Sequence, residues 1–145
     1  MKRLLLALVL IAAAYGGYAE LYPARPGPDA QASTRGDEVL AEAYAAQRSD
    51  VQVQGQGVVT KVLADDNDGS RHQRFIVQLG TGQSVLIAHN IDLAPRIPSL
   101  AAGAVVAFHG EYEWNPKGGV VHWTHHDPDG RHVGGWLKHA GQVYQ

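Results

Sequence analysis

The chain has 145 residues, 45% hydrophobic and 18% charged, enough to bury one core and to form one ordinary domain. Twelve Lys and Arg against fourteen Asp and Glu leave a net charge of -2, which excludes a polybasic, histone-like role. The absence of cysteine excludes disulfide scaffolds, thiolate-ligated zinc, iron–sulfur clusters and thiol catalysis.

Met1-Lys2-Arg3 is a positive start, followed by an apolar run over residues 4–14. That run is shorter than the roughly 20 residues needed to span a bilayer, and Gly17-Tyr18-Ala19 has the small residues of a cleavage site. Residues 1–19 therefore read as an export signal removed after Ala19, which places the protein in the periplasm or outside the cell. The alternative is an uncleaved anchor, a tether to the inner membrane, with tyrosines at the interface. Residues 20–50 read as a Pro-rich linker to Ala32, then a short helix capped by Thr34 or Asp37 and running to about Arg48. Its stripe of Val39, Leu40, Ala43 and Tyr44 should dock on the following domain.

From Val51 the hydrophobic period becomes two. Residues 51–63 form a long first strand whose in–out parity changes near Gly57, which calls for a bulge. Asp65-Asp66-Asn67-Asp68-Gly69 is an acidic turn, and it fails as a calcium loop because Ala64 and Phe75 would occupy ligand positions. Further strands follow at 75–79, 85–89, 105–114 and 120–126. Pro95 and Pro98 limit the chain between the third and fourth strands to a short helix or 3₁₀ turn. A terminal hairpin joins Trp136-Leu137 to Val143-Tyr144 around Ala140-Gly141. This order describes residues 51–145 as all-β, a small Greek-key barrel like the oligonucleotide/oligosaccharide-binding (OB) fold.

Apolar residues of the fourth and fifth strands must face each other, which suggests a register with Trp114 opposite Val121 and Tyr112 opposite Trp123. The other face then pairs Glu113 with His122, Glu111 with Thr124 and His109 with His126. His109, Glu111, His122 and His126 are accordingly the candidate metal ligands, zinc being the ion such donors suit, and a solvated outer face is the competing reading. Arg71, His72 and Arg74 could meet an anion or could neutralise the acidic turn. His89, Trp114 and Lys117 complete the candidate ligand-binding set, Trp114 as a stacking platform. The catalytic residues are unknown: no nucleophile elbow, P-loop or dinucleotide fingerprint occurs.

The runs over residues 65–75, 87–97 and 110–127, the last containing Gly110-Glu111-Tyr112-Glu113-Trp114-Asn115-Pro116-Lys117-Gly118-Gly119, resemble the domain of unknown function 3465 family of small exported bacterial proteins. The resemblance covers about residues 55–144 and implies bacterial origin and export, with no activity to carry across. The leading expectation is an exported binding module. Its face is built from the acidic turn, residues 71–74 and the fourth–fifth hairpin, and its ligand is an oligomer such as single-stranded nucleic acid or a glycan. A metal-dependent hydrolase using His109, His126 and a nearby carboxylate is the first alternative, and a structural envelope protein the second.

Overall fold

The computed structural model describes residues 28–145, so the export signal, the anchor and most of the linker lie outside the described residues. The first element is a helix, α1 (Pro28–Ala45), which begins ahead of the expected Thr34 and takes in the end of the linker. The helix closes with Arg48 N–H on the Ala43 carbonyl (2.9 Å) and Gln47 N–H on the Tyr44 carbonyl (3.1 Å), with Gln47 left-handed at φ 52°. This is a Schellman cap with Gln where glycine is usual.

The helix docks on the first strand as its stripe suggests. Leu40 and Ala43 are fully buried in the core cluster and Val39 packs against it, whereas Tyr44 stays at the surface and reaches the Pro116 carbonyl at 3.4 Å. Gly36 makes the close approach possible: a Cβ there would lie 1.6 Å from the Gln54 carbonyl oxygen. Asp37 is buried between the helix and the barrel, where desolvation raises its pKa although the Gly80 and Thr81 backbone N–H groups oppose the rise. Among the described residues no helix is long and apolar enough to cross a membrane.

Seven strands follow: β1 (Val51–Val62), β2 (His72–Leu79), β3 (Ser84–Asn90), β4 (Val105–Glu113), β5 (Val120–His122), β6 (Trp136–His139) and β7 (Gln142–Tyr144). β1 is long enough to pair with β4 over its first half and with β2 over its second, and the parallel β3–β5 pairing completes a closed five-stranded OB-like barrel. Buried residues keep one parity from Val53 to Val59, so Val58 points outward and is 44% exposed. The bulge lies between Val59 and Lys61, beyond the glycines that suggested it. Phe75, Val77, Val85, Ile87, Val106, Phe108, Tyr112, Val121 and Leu137 fill the interior, each large side chain contributing about 1.5–3 kcal/mol by leaving water.

The β3–β4 connection is a turn, with one helix-like bond from Ala94 N–H to the Asn90 carbonyl. Gln73 secures it from inside the barrel, its amide donating to the Ile97 carbonyl and accepting from the Ile97 N–H, both at 3.0 Å. The terminal hairpin is as expected: β6 and β7 join through Ala140 and Gly141, both at positive φ, the two-residue geometry that matches strand twist.

The fifth strand departs from expectation. It ends at His122 because Trp123 turns left-handed at φ 52°. The register is also displaced by two residues, with Tyr112 opposite Val121 and Glu111 opposite His122. Gly110 permits this arrangement, since a Cβ there would meet the His122 carbonyl oxygen at 2.3 Å. His109 therefore does not face His126. Its cross-strand neighbours are Gln54 on β1 and Trp136 on β6, and His126 lies past the strand end against Gly134.

Candidate functional site

Alternation along β4 turns His109, Glu111 and Glu113 to the outer surface, and the short β5 adds His122 between the two carboxylates. His122 Nε2 lies 3.7 Å from Glu111 Oε1 and 3.8 Å from Glu113 Oε1, and donor atoms of the three residues all fall within 4.8 Å of one another. These separations are too long for hydrogen bonds, and among the described residues the buried His122 Nε2 has no hydrogen-bond partner. Of the four ligands read from sequence, Glu111 and His122 come together, Glu113 joins them, and His109 and His126 do not. His109 instead lies beside the Trp136 ring, centroids 6.1 Å apart.

The other oxygen of Glu111 is held in place. Oε2 accepts a hydrogen bond from Gln52 Nε2 at 3.0 Å and another from His132 Nε2 at 2.9 Å. His132 Nδ1 meets the Val133 carbonyl at 2.8 Å, and a ring with acceptors at both nitrogens satisfies them fully only as the imidazolium. Burial works against that charge, yet the Val133 carbonyl and Glu111 together raise the pKa of His132 above its usual value. Trp123 stacks on the same ring at 4.0 Å and 9°, a favourable seat for a cation. Trp123 is thus a surface partner of His132 rather than the core residue the expected register made it.

The loop after β5 delivers His132 to this position. Asp127 accepts the N–H groups of Asp129 (3.0 Å), Arg131 (2.7 Å) and His132 (2.7 Å), which hold its carboxyl below the usual range. The Asp-Pro and Asp-Gly pairs mark this segment as a turn, so the role of Asp127 had a sequence signal. The docking of His132 on Glu111 had none, because the two are distant along the chain.

The remaining candidates separate. His89 is fully buried, with Nδ1 on the Thr124 hydroxyl (2.8 Å) and Nε2 on the Pro95 carbonyl (3.1 Å), out of reach of an external ligand. Arg71 pairs with Asp92 at 2.7 Å, and Arg74 donates to the Ala64 carbonyl with Asp66 3.9 Å away. His72 Nδ1 meets the Ser70 carbonyl at 2.8 Å. Arg96 takes Asp65 at 2.6 Å, so cations of neighbouring segments face Asp65 and Asp66 of the acidic turn. Trp114 packs against the core instead of offering an open ring, and its backbone N–H is held by Ser49 Oγ.

Lys117 lies on a feature that pairwise patterns do not reveal, a groove of about 630 Å³ over the outer faces of β1, β2 and β3 and the β4–β5 loop. Ile76 and Leu86, cross-strand partners, are its apolar centre. Thr60, Ser84 and Asn115 contribute hydrogen-bonding groups, and Lys61 and Lys117 contribute positive charge. The loop at its edge is held from inside by the Tyr112 hydroxyl on the Gly118 carbonyl at 3.2 Å.

Comparison with known proteins gives one family match. The family model described as "Protein of unknown function (DUF3465)" matches residues 29–145, from the helix to the last strand. No curated protein matches the chain.

Proposed function

The chain belongs to the DUF3465 family, and from that premise we propose that it is an exported OB-like module that binds an extended, anionic glycan. The observation that carries the reading is the groove across β1, β2 and β3, bordered by the β4–β5 loop, where OB barrels take oligomeric ligands. Its length of strand surface suits an extended chain. Hydroxyl and amide groups suit a polyhydroxylated ligand, and two lysines suit acidic substituents. Among the described residues the groove lining contains no aromatic ring, so they offer no base stacking of the kind that supplies about 1–3 kcal/mol per nucleotide in single-strand binders. Recognition then rests on hydrogen-bonding groups and two lysines, which match a hydroxyl-rich ligand with few anionic substituents better than a strand charged at every nucleotide. Export rests on the charged start and short apolar run of residues 1–19.

Titration of acidic oligosaccharides and of single-stranded oligonucleotides, followed by amide chemical shifts, tests the reading. Shifts centred on Thr60, Ile76, Leu86 and Lys117 are expected with the oligosaccharide. Lys61→Ala and Lys117→Ala should each weaken binding by roughly two- to fivefold, the worth of an exposed charge contact. Tighter binding of the oligonucleotide would overturn the glycan assignment, and binding of neither would favour a structural role.

A further inference from the structure

We propose that Glu111, Glu113 and His122, none of which lines the groove, form an open site for one divalent ion of the zinc class. Three observations converge on it. The first is spacing: ligand atoms sharing one zinc at about 2.0–2.2 Å stand roughly 3.4 Å apart in a tetrahedron, and His122 Nε2 is already 3.7 and 3.8 Å from the two carboxylate oxygens. The donor atoms of all three lie within 4.8 Å of one another, so rotation of the carboxylates brings them onto a common ion.

The second is the unpartnered nitrogen. A buried ring nitrogen without a hydrogen bond leaves its desolvation uncompensated. His122 Nε2 is in that position while facing two carboxylates that are too distant to bond. An ion between them supplies the missing partner for the nitrogen and neutralises the two like charges.

The third is the support behind Glu111. Gln52 and His132 both donate to Oε2 and leave Oε1 directed at His122. Orientation of a ligating carboxylate by outer hydrogen bonds is how metal sites fix their geometry. The cluster lies near the surface, with the side chains of Glu113 and His122 32% and 35% exposed although Nε2 itself is buried. Three protein donors leave a coordination position for water or an oxygen of a bound molecule. The imidazole nitrogen favours zinc over calcium or magnesium, which prefer all-oxygen shells.

Calorimetry with zinc chloride on the full chain, purified without a histidine tag, decides the matter. One ion per chain is expected, with affinity reduced at least about tenfold in Glu113→Gln and in His122→Gln. His109→Ala and His126→Ala should stay within about twofold. Far-ultraviolet circular dichroism establishes that each variant is folded, and the two ligand variants are chosen because neither removes the Glu111–His132 bond. Cobalt substitution gives a second readout, visible absorption in the wild type that is absent from both ligand variants. Failure to bind zinc, or binding unchanged in the folded ligand variants, would overturn the site. Glycan binding is measured separately, so loss of one activity leaves the other standing.

Discussion

His89 shows how one side chain can be read correctly as polar and wrongly as available. Its position at the end of a strand gave no indication that Thr124, 35 residues later, would cover it from the loop after β5. The Pro95 carbonyl can only accept, so Nε2–H donates and Nδ1 accepts from the Thr124 hydroxyl, which is the neutral ring. Desolvation lowers its pKa from 6.5 to about 4 despite the support of the Pro95 carbonyl. The unfolded chain therefore takes up a proton first, and stability present above pH 6.5 is lost as pH falls toward 4, by about 3 kcal/mol in total. Urea unfolding at pH 7, 5.5 and 4 should show this fall in wild type and a flatter profile in His89→Gln. An equal slope in the two proteins would refute the assignment. Asp37 has the opposite sign: its raised pKa means that folding favours the protonated carboxyl, so its contribution weakens as pH rises from about 4 through the folded value.

Among the elements, α1 carries two exceptions to helix preference, and each has a separate reason. Gly36, unfavourable inside a helix by about 1 kcal/mol, is required by contact with the β1 backbone. Gly36→Ala should push the helix off the strand and lower stability by about 1–3 kcal/mol, the usual cost of overpacking, as measured by the urea midpoint. Gln47 occupies the left-handed cap at φ 52° with no comparable reason. Gln47→Gly should therefore raise stability by about 0.5–1 kcal/mol. A loss on that substitution would mean that the Gln47 side chain has a packing role. The β5 element depends likewise on backbone contact: Gly110 and the left-handed Trp123 shorten it and set its register.

At the scale of the molecule, the helix and barrel share one core. Leu40 and Ala43 belong to the same buried cluster as Phe75, Ile87 and Phe108, and β1 is hydrogen-bonded to both neighbours that close the barrel. The two parts should unfold in one transition. Hydrogen exchange should find helix amides around Leu40 opening with nearly the same free energy as amides of β1 near Val53. A helix that exchanges well before the barrel would show that it is an appended element. The outer surface carries a groove on β1, β2 and β3 and, further along the cross-strand row Ile76–Leu86–Val120–Glu113, a carboxylate–imidazole cluster on β4 and β5; the two share no residue, so the proposed ligand and ion do not compete for residues.

Local pattern was sufficient for the all-β class, the strand order, the docking stripe of the helix and the Ala140-Gly141 turn, because each depends on alternation, helical spacing or turn chemistry within a few residues. It also placed Glu111 and His122 on one surface, since strand parity alone settles which face a residue takes. Which residues meet across that surface was decided by tertiary contact. A two-residue shift between β4 and β5 keeps every side chain on its face, so the apolar pattern cannot detect it. Backbone approach at Gly110 and the left-handed Trp123 selected the register that parts His109 from His126 and sets Glu111, in place of Glu113, directly opposite His122. The same limit hid His132 and Thr124, which reach Glu111 and His89 only because a loop organised by Asp127 folds back over the barrel wall.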